Sequence, residues 1–334
     1  MSNLLLRRRM LMQAGGSPTP SYPEGALPFP FSVSASKQVY FSKGNLQWSA
    51  TGGGTTPTTH ATADGGVGEG TWRFAEEQWH YVGDNNYGNV YNDNNVKSSN
   101  ALIDQNYDGW IDLFGWGTSG YHNAADEWNV YYNPYDYIKG NNGQASGWKN
   151  AFGYAPSTNM TDISLVGTSA NYDWGVYNAI VGGGNQPGLW RLLTYDEAQY
   201  ILYTRTNASD KILVSTVNGV KGVILLPDDF ITPAGYTFNT GIPTSDNWSN
   251  NVFTLLQWQE LELNGAVFFP ALGNRNVKTV NYGSSSQYQF YYSTSTRSGG
   301  NTHKYFGFRQ VSFGYGKDTD NYLGEAVRLV ADVI

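Results

Sequence analysis

From Phe31 to Ile334 the apolar runs of this chain are short and are broken by clusters of Gly, Asn, Asp and Ser. An amphipathic helix needs apolar residues returning every three or four positions over about 10–12 residues. Here most segments alternate for only a few positions before a breaker intervenes, which is the pattern of short strands joined by long loops. Strands are expected at 38–42, 45–48, 72–74, 220–226, 266–269, 288–293, 305–311 and 326–330. Two helix starts stand out. Thr194-Tyr195-Asp196-Glu197 and Thr254-Leu255-Leu256-Gln257 both have the form in which a Thr side chain and a Glu or Gln three residues later cap each other's backbone. The first continues through Ala198, Ile201 and Leu202, and the second through Trp258 and Leu261 to a stop at Gly265. Two short helices among many short strands give an α+β class.

Composition narrows the function. Charged residues are 14% of the 334, against roughly 25% in an average soluble protein, while 40 Gly, 25 Tyr, 11 Trp and 15 Phe are present. Tyr and Trp give broad contact area at low entropic cost, which suits a recognition surface as well as a β core. The net charge of −7 argues against nucleic acid as a partner of the main body. Cysteine is absent, so disulfides, thiolate zinc sites and cysteine nucleophiles are excluded together. No stretch approaches the ~18 apolar residues needed to cross a bilayer, so no membrane partner is expected.

Three zones are expected along the chain. Residues 1–16 form a basic amphipathic tail in which Leu4, Leu5 and Leu6 precede Arg7, Arg8, Arg9 and Met10. A secretory leader has the reverse order, basic residues before the apolar run, so export by this start is not expected. The tail is read as packing against a partner as a docking peptide, with a disordered end as the alternative. Residues 17–30 hold five prolines and are expected to be an extended linker. Residues 31–334 have one continuous texture and are expected to form a single large domain.

Two constellations carry candidate chemistry. Asp104, Asn106, Asp108 and Asp112 space oxygen ligands around Gly109 as in loops that wrap a hard cation, which makes Ca2+ the candidate ion. The position of an EF-hand's bidentate Glu is Gly115, so this is no EF-hand, and a plain Asn/Asp-rich turn is the alternative. Between Asn274 and Tyr322, Tyr282, Tyr288, Tyr291, Arg297, His303, Tyr305, Tyr315 and Tyr322 are interleaved with Ser, Asn and Gly. That mixture of rigid aromatics and small polar residues is the composition of a paratope, and these eight residues are the candidate ligand face. Strand alternation would leave about half of the aromatics on the surface. The four histidines are scattered, and no nucleophile with a positioned base can be named, so no catalytic residue is assigned.

The segment Leu189–Ala198 (LWRLLTYDEA) resembles the helix entry of the formylglycine-generating-enzyme-like group of C-type-lectin folds, and Gly324–Val330 (GEAVRLV) resembles its closing strand. The wider pattern VYFSKGNLQ (39–47), WRFAE (72–76), GWIDLFGWGTSG (109–120), DWG (173–175), GVILLPD (222–228) and GAVFFPA (265–271) is similar to proteins of gut Bacteroidales and their phages. The LLLRRRMLM opening resembles those of phage virion proteins. The resemblance implies a C-type-lectin-like fold with short twisted antiparallel sheets, two short helices and long loops. It also implies a virion adhesin, such as a head fibre, decoration or tail-tip component. Its tail would dock on a capsid or tail protein, its body would bind a host glycan or surface protein, and it would assemble as a homodimer or homotrimer. A bacterial surface or secreted binding protein is the alternative, and a glycan hydrolase a further one. Formylglycine formation needs cysteines that are absent here. Gln186-Pro187-Gly188 and Asp246-Asn247-Trp248 depart from the calcium-dependent sugar motifs of lectins, so that site is not expected.

Overall fold

A computed structural model describes residues 22–49, 70–82, 110–121, 164–241, 248–276, 279–281, 290–299, 302–309, 312–321 and 323–333. The tail residues Leu4–Met10, the loop residues Asp104, Asn106 and Asp108, and Tyr282, Tyr288 and Tyr322 lie outside the described residues.

The chain is mixed α+β, with several short sheets and few helices. Strands β1 (Phe31–Ser32), β2 (Gln38–Phe41), β3 (Leu46–Ser49), β4 (Thr71–Phe74), β5 (Trp110–Ile111) and β6 (Leu113–Phe114) come first. Helix α1 (Trp174–Tyr177), β7 (Ile180–Val181) and helix α2 (Tyr195–Gln199) follow. Next come β8 (Ile212–Val217), β9 (Val220–Leu225), β10 (Val252–Phe253), helix α3 (Leu255–Leu263) and β11 (Val267–Pro270). The chain ends with β12 (Asn274–Asn276), β13 (Thr279–Asn281), β14 (Phe290–Gly299), β15 (Thr302–Arg309), β16 (Ser312–Asp320), β17 (Glu325–Ala326) and β18 (Val330–Asp332). The principal sheets have orders β16-β15-β14-β17-β6, β10-β8-β9-β11 and β5-β3-β4-β7, and β1-β2-β18 joins the start of the described chain to its end.

Both capping boxes form. The Thr194 hydroxyl accepts from the Glu197 amide at 3.2 Å while Glu197 Oε2 accepts from the Thr194 amide at 2.9 Å, and Thr254 and Gln257 repeat the arrangement. Gly265 stops α3 with φ +88, a left-handed conformation that a side chain would strain. The expected strand 326–330 is split. After β17 the backbone turns from one sheet to another, with Val327 O accepting from Leu46 and Leu329 O from Ser42, before it re-enters a ladder at β18. The Pro-rich segment is also shorter as a linker than expected. From Gly25 onward it is bonded to the body, since Lys43 N donates to Gly25 O at 2.7 Å, Leu27 N donates to Phe41 O at 2.8 Å, and Leu27 is buried.

The interior holds two apolar clusters. One gathers β8, β9, β11, α2 and α3 around Phe268 and Trp258, and the other gathers β3, β4 and the tryptophans Trp116, Trp174 and Trp190. These three indoles are fully buried, and each N–H finds a carbonyl: Thr294 at 2.8 Å, Thr118 at 3.0 Å and Gly183 at 2.7 Å. These three tryptophans therefore serve the core with their polar edges satisfied.

At the entry to α2, Arg191 makes paired bonds to Glu197 at 2.7 and 2.8 Å and reaches Asp332 at 2.6 Å, with Lys37 3.2 Å from both acids. The network ties α2 to β18 and to Lys37, the residue just before β2. Burial pushes both carboxyls up, and the Arg191 guanidinium, aided by Lys37, more than offsets it, so Glu197 lies below 4.5 and Asp332 below 3.8. A carboxyl more acidic in the folded than in the unfolded chain contributes stability that is complete above the unfolded pKa and is lost as pH falls through the folded one. The thermal midpoint should therefore be level in this respect above about pH 5 and fall below about pH 4. Arg191→Met should flatten that acid slope, as read from melting curves across pH.

Candidate ligand-binding surface

The C-terminal sheet does not present the expected ligand face. Tyr291 and Tyr305 are 4% and 3% exposed, with ring centroids 5.0 Å apart. Adjacent residues on β14, from Tyr291 to Ser295, are all buried, as are Tyr305 and Phe306 on β15. A sheet covered on both faces buries both halves of the alternation, so a period of two no longer marks which rings reach solvent. Tyr291, Tyr305 and His303 are accordingly corrected from surface to interior. Arg297 is half-buried, and its amide donates to Ser164 Oγ at 3.1 Å. The backbone of Tyr315 pairs with Phe306 across β15 and β16.

His303 instead belongs to a sealed polar cluster that spacing in the sequence did not disclose. Its Nε2 lies 3.0 Å from Glu325 Oε2 and its Nδ1 3.0 Å from Asn321 Oδ1, and its ring stacks on Trp116 at 5.2 Å. Ser293 Oγ donates to the same Glu325 oxygen at 3.1 Å and is 3.4 Å from Nε2. Serine, histidine and an acid thus meet, but in an order unlike a hydrolytic triad. The carboxylate shares the nitrogen that would activate the hydroxyl, while a neutral amide holds the other nitrogen. His303 and Glu325 are 0% exposed and Ser293 2%. The cluster pins β14, β15 and β17 together.

Asp112 is fully buried, and its Oδ2 accepts from the Val82 amide at 2.7 Å, a bond that joins two segments, while the other three candidate cation ligands lie outside the described residues. Among the described residues no group of three or more His, Asp and Glu side chains is placed to hold a metal ion.

An open recess of about 420 Å3 lies elsewhere, between the 3-10 turn Ala208–Lys211 and the segment 226–241. The size falls within the roughly 300–1,000 Å3 of small-ligand sites. Segment 226–241 has no helix or strand, and irregular stretches of this length in a compact domain are commonly functional. Side chains hold it at several points. Asp228 accepts from Arg205 at 3.1 Å and from the Ser32 amide at 2.7 Å. The Lys211 ammonium donates to the carbonyls of Pro227 and Asp228. Tyr236 donates to Glu260 at 3.1 Å, and Asn239 exchanges bonds with Asn251 at 3.0 Å. Burial pushes the Asp228 carboxyl up, but the Ser32 and Arg205 contacts outweigh it and leave the group below its ordinary value. Burial, with Arg205 beside it, lowers the Lys211 ammonium.

The held segment carries three half-buried rings, Phe230, Tyr236 and Phe238, which pack on the main core. Phe238 lies 6.1 Å from Phe230, 6.0 Å from Tyr236 and 6.0 Å edge-on from the buried Phe253. The sequence pointed past this site to the more aromatic C-terminal stretch. The readable signal was the long element-free run after Pro227, with Phe and Tyr set among Thr, Pro and Gly.

No family model, curated protein or solved structure matches this chain. No helix among the described residues is long and apolar enough to cross a membrane.

Proposed function

We propose that this chain is a non-catalytic ligand-binding module of C-type-lectin-like build, displayed on a phage particle by its N-terminal tail and directed at the host surface. Short sheets, two box-capped helices and long irregular segments support the fold reading. The observation that carries the binding reading is the recess. A long irregular segment is pinned by side chains on both flanks and offers three aromatic rings beside an open cavity. Such pre-ordering lowers the entropy lost on binding, which favours recognition by a fixed surface. The acid, histidine and serine that could suggest hydrolysis are sealed in the sheet. On a particle, many copies would turn weak single-site affinity into firm attachment.

The test is fractionation of purified particles together with adsorption to host cells. The chain should co-purify with virions, and deletion of residues 1–16 should release it. The detached body, residues 22–334, should compete with particles for adsorption. A chain found in the bacterial envelope and absent from particles would overturn the virion assignment in favour of a bacterial surface protein.

A further inference from the structure

We infer that the recess between Ala208–Lys211 and segment 226–241 is a binding site for a neutral carbohydrate, a deduction that rests on the binding reading above. The choice follows from what lines the cavity. Thr232, Thr237 and Thr240 are exposed, and their hydroxyls make no hydrogen bond with any described residue. Asn207 and Asp210 are exposed beside them. Together they present hydroxyl, amide and carboxylate groups, which both donate and accept.

A phosphate or other anion would need a cation. The lysine in the recess is Lys211, and its ammonium is already bonded to the Pro227 and Asp228 carbonyls, while Asp210 would repel an anion. A wholly apolar ligand would strip water from the threonines, Asn207 and Asp210 without replacing its hydrogen bonds. A sugar ring meets both halves of the lining. Its C–H face packs against the rings of Phe230 or Phe238, and its hydroxyls bond to Thr, Asn and Asp.

Geometry keeps the site in place without a ligand. Tyr236 is tied to α3 through Glu260, and Phe238 lies against Phe253, two residues beyond the Asn251 that bonds Asn239. Asn207 holds a left-handed conformation with φ 54. A glycine there would keep the backbone and remove only the amide side chain.

The experiment uses the full chain on an array of bacterial surface polysaccharides, followed by calorimetry with the polysaccharide that binds and with its component monosaccharides. Asp210→Ala and Asn207→Gly should each weaken binding roughly tenfold or more, as loss of hydrogen bonds to a bound ligand does. Phe238→Leu, which keeps apolar bulk but removes the ring face, should weaken it as well. Melting temperatures of the two polar variants should match the parent chain, which separates lost contact from lost fold. Polysaccharide binding that survives all three variants would overturn this site and leave the binding module intact. Binding confined to a host protein, with no polysaccharide retained, would overturn the carbohydrate assignment alone. No retention of polysaccharide and no adsorption to host cells would overturn both readings.

Discussion

Glu325→Ala is expected to destabilise the chain by about 3–5 kcal/mol, the usual cost of breaking a buried ion-paired or hydrogen-bonded charge. Urea unfolding should show it as a lower midpoint at unchanged slope. Glu325 Oε2 is the shared acceptor for His303 Nε2 at 3.0 Å and Ser293 Oγ at 3.1 Å, and none of the three side chains reaches appreciable solvent. Alanine would leave the imidazole and the hydroxyl without their acceptor in a place where water cannot substitute. It would also leave a void beside the Trp116 ring stacked on His303. Glu325→Gln keeps an oxygen in reach of both donors and should cost less, about 1–2 kcal/mol. If the alanine variant melted with the parent, the cluster would have no structural part in holding β14, β15 and β17.

The same cluster shows where sequence reading stops. The capping boxes at Thr194 and Thr254 were legible because both partners lie within four residues, so local chemistry determines them. Strands such as β2, β4, β9 and β11 were legible for the same reason, since breakers such as Gly219 and Gly265 mark the turns beside β9 and α3, whereas β8 and β16 were not expected. His303 and Glu325 are 22 residues apart, and the topology alone brings them together across β15 and β17. Glu260 and Glu262 on α3 accept from Tyr236 and Gln78, again through tertiary contacts. The aromatic C-terminal stretch misled for a different reason. Alternation assigns a face only when one face of a sheet is wet, and the buried run from Tyr291 to Ser295 shows that here both are dry.

Arg328→Ala is expected to have an effect as large as that at Glu325, about 3–5 kcal/mol, because it leaves two buried carbonyls without their charged donor and opens a void at a junction of three segments. Arg328 is 2% exposed. Its Nη1 donates to Ser42 O at 3.0 Å, its Nη2 donates to Phe268 O, and its guanidinium lies 5.5 Å from the Phe269 ring centroid. Beside it the Tyr292 hydroxyl donates to Pro270 O at 3.1 Å and accepts from Asn45 at 3.1 Å. The turn after β2, the end of β11 and strand β14 thus meet at one polar node, at the point where the backbone leaves β17 for β18. Burial lowers the guanidinium to about 10, with the Tyr292 oxygen opposing, so it stays charged at neutral pH. Lysine should rescue poorly. A single ammonium cannot reproduce two donors set apart on a planar fork, and it has no flat face to lay over Phe269. Arg328→Lys should therefore recover less than half of the lost stability in urea titrations. Because the node joins the start of the described chain to its end, Arg328→Ala should also speed amide exchange in β2 and β18 more than in β8 and β9, a contrast that uniform destabilisation would not produce.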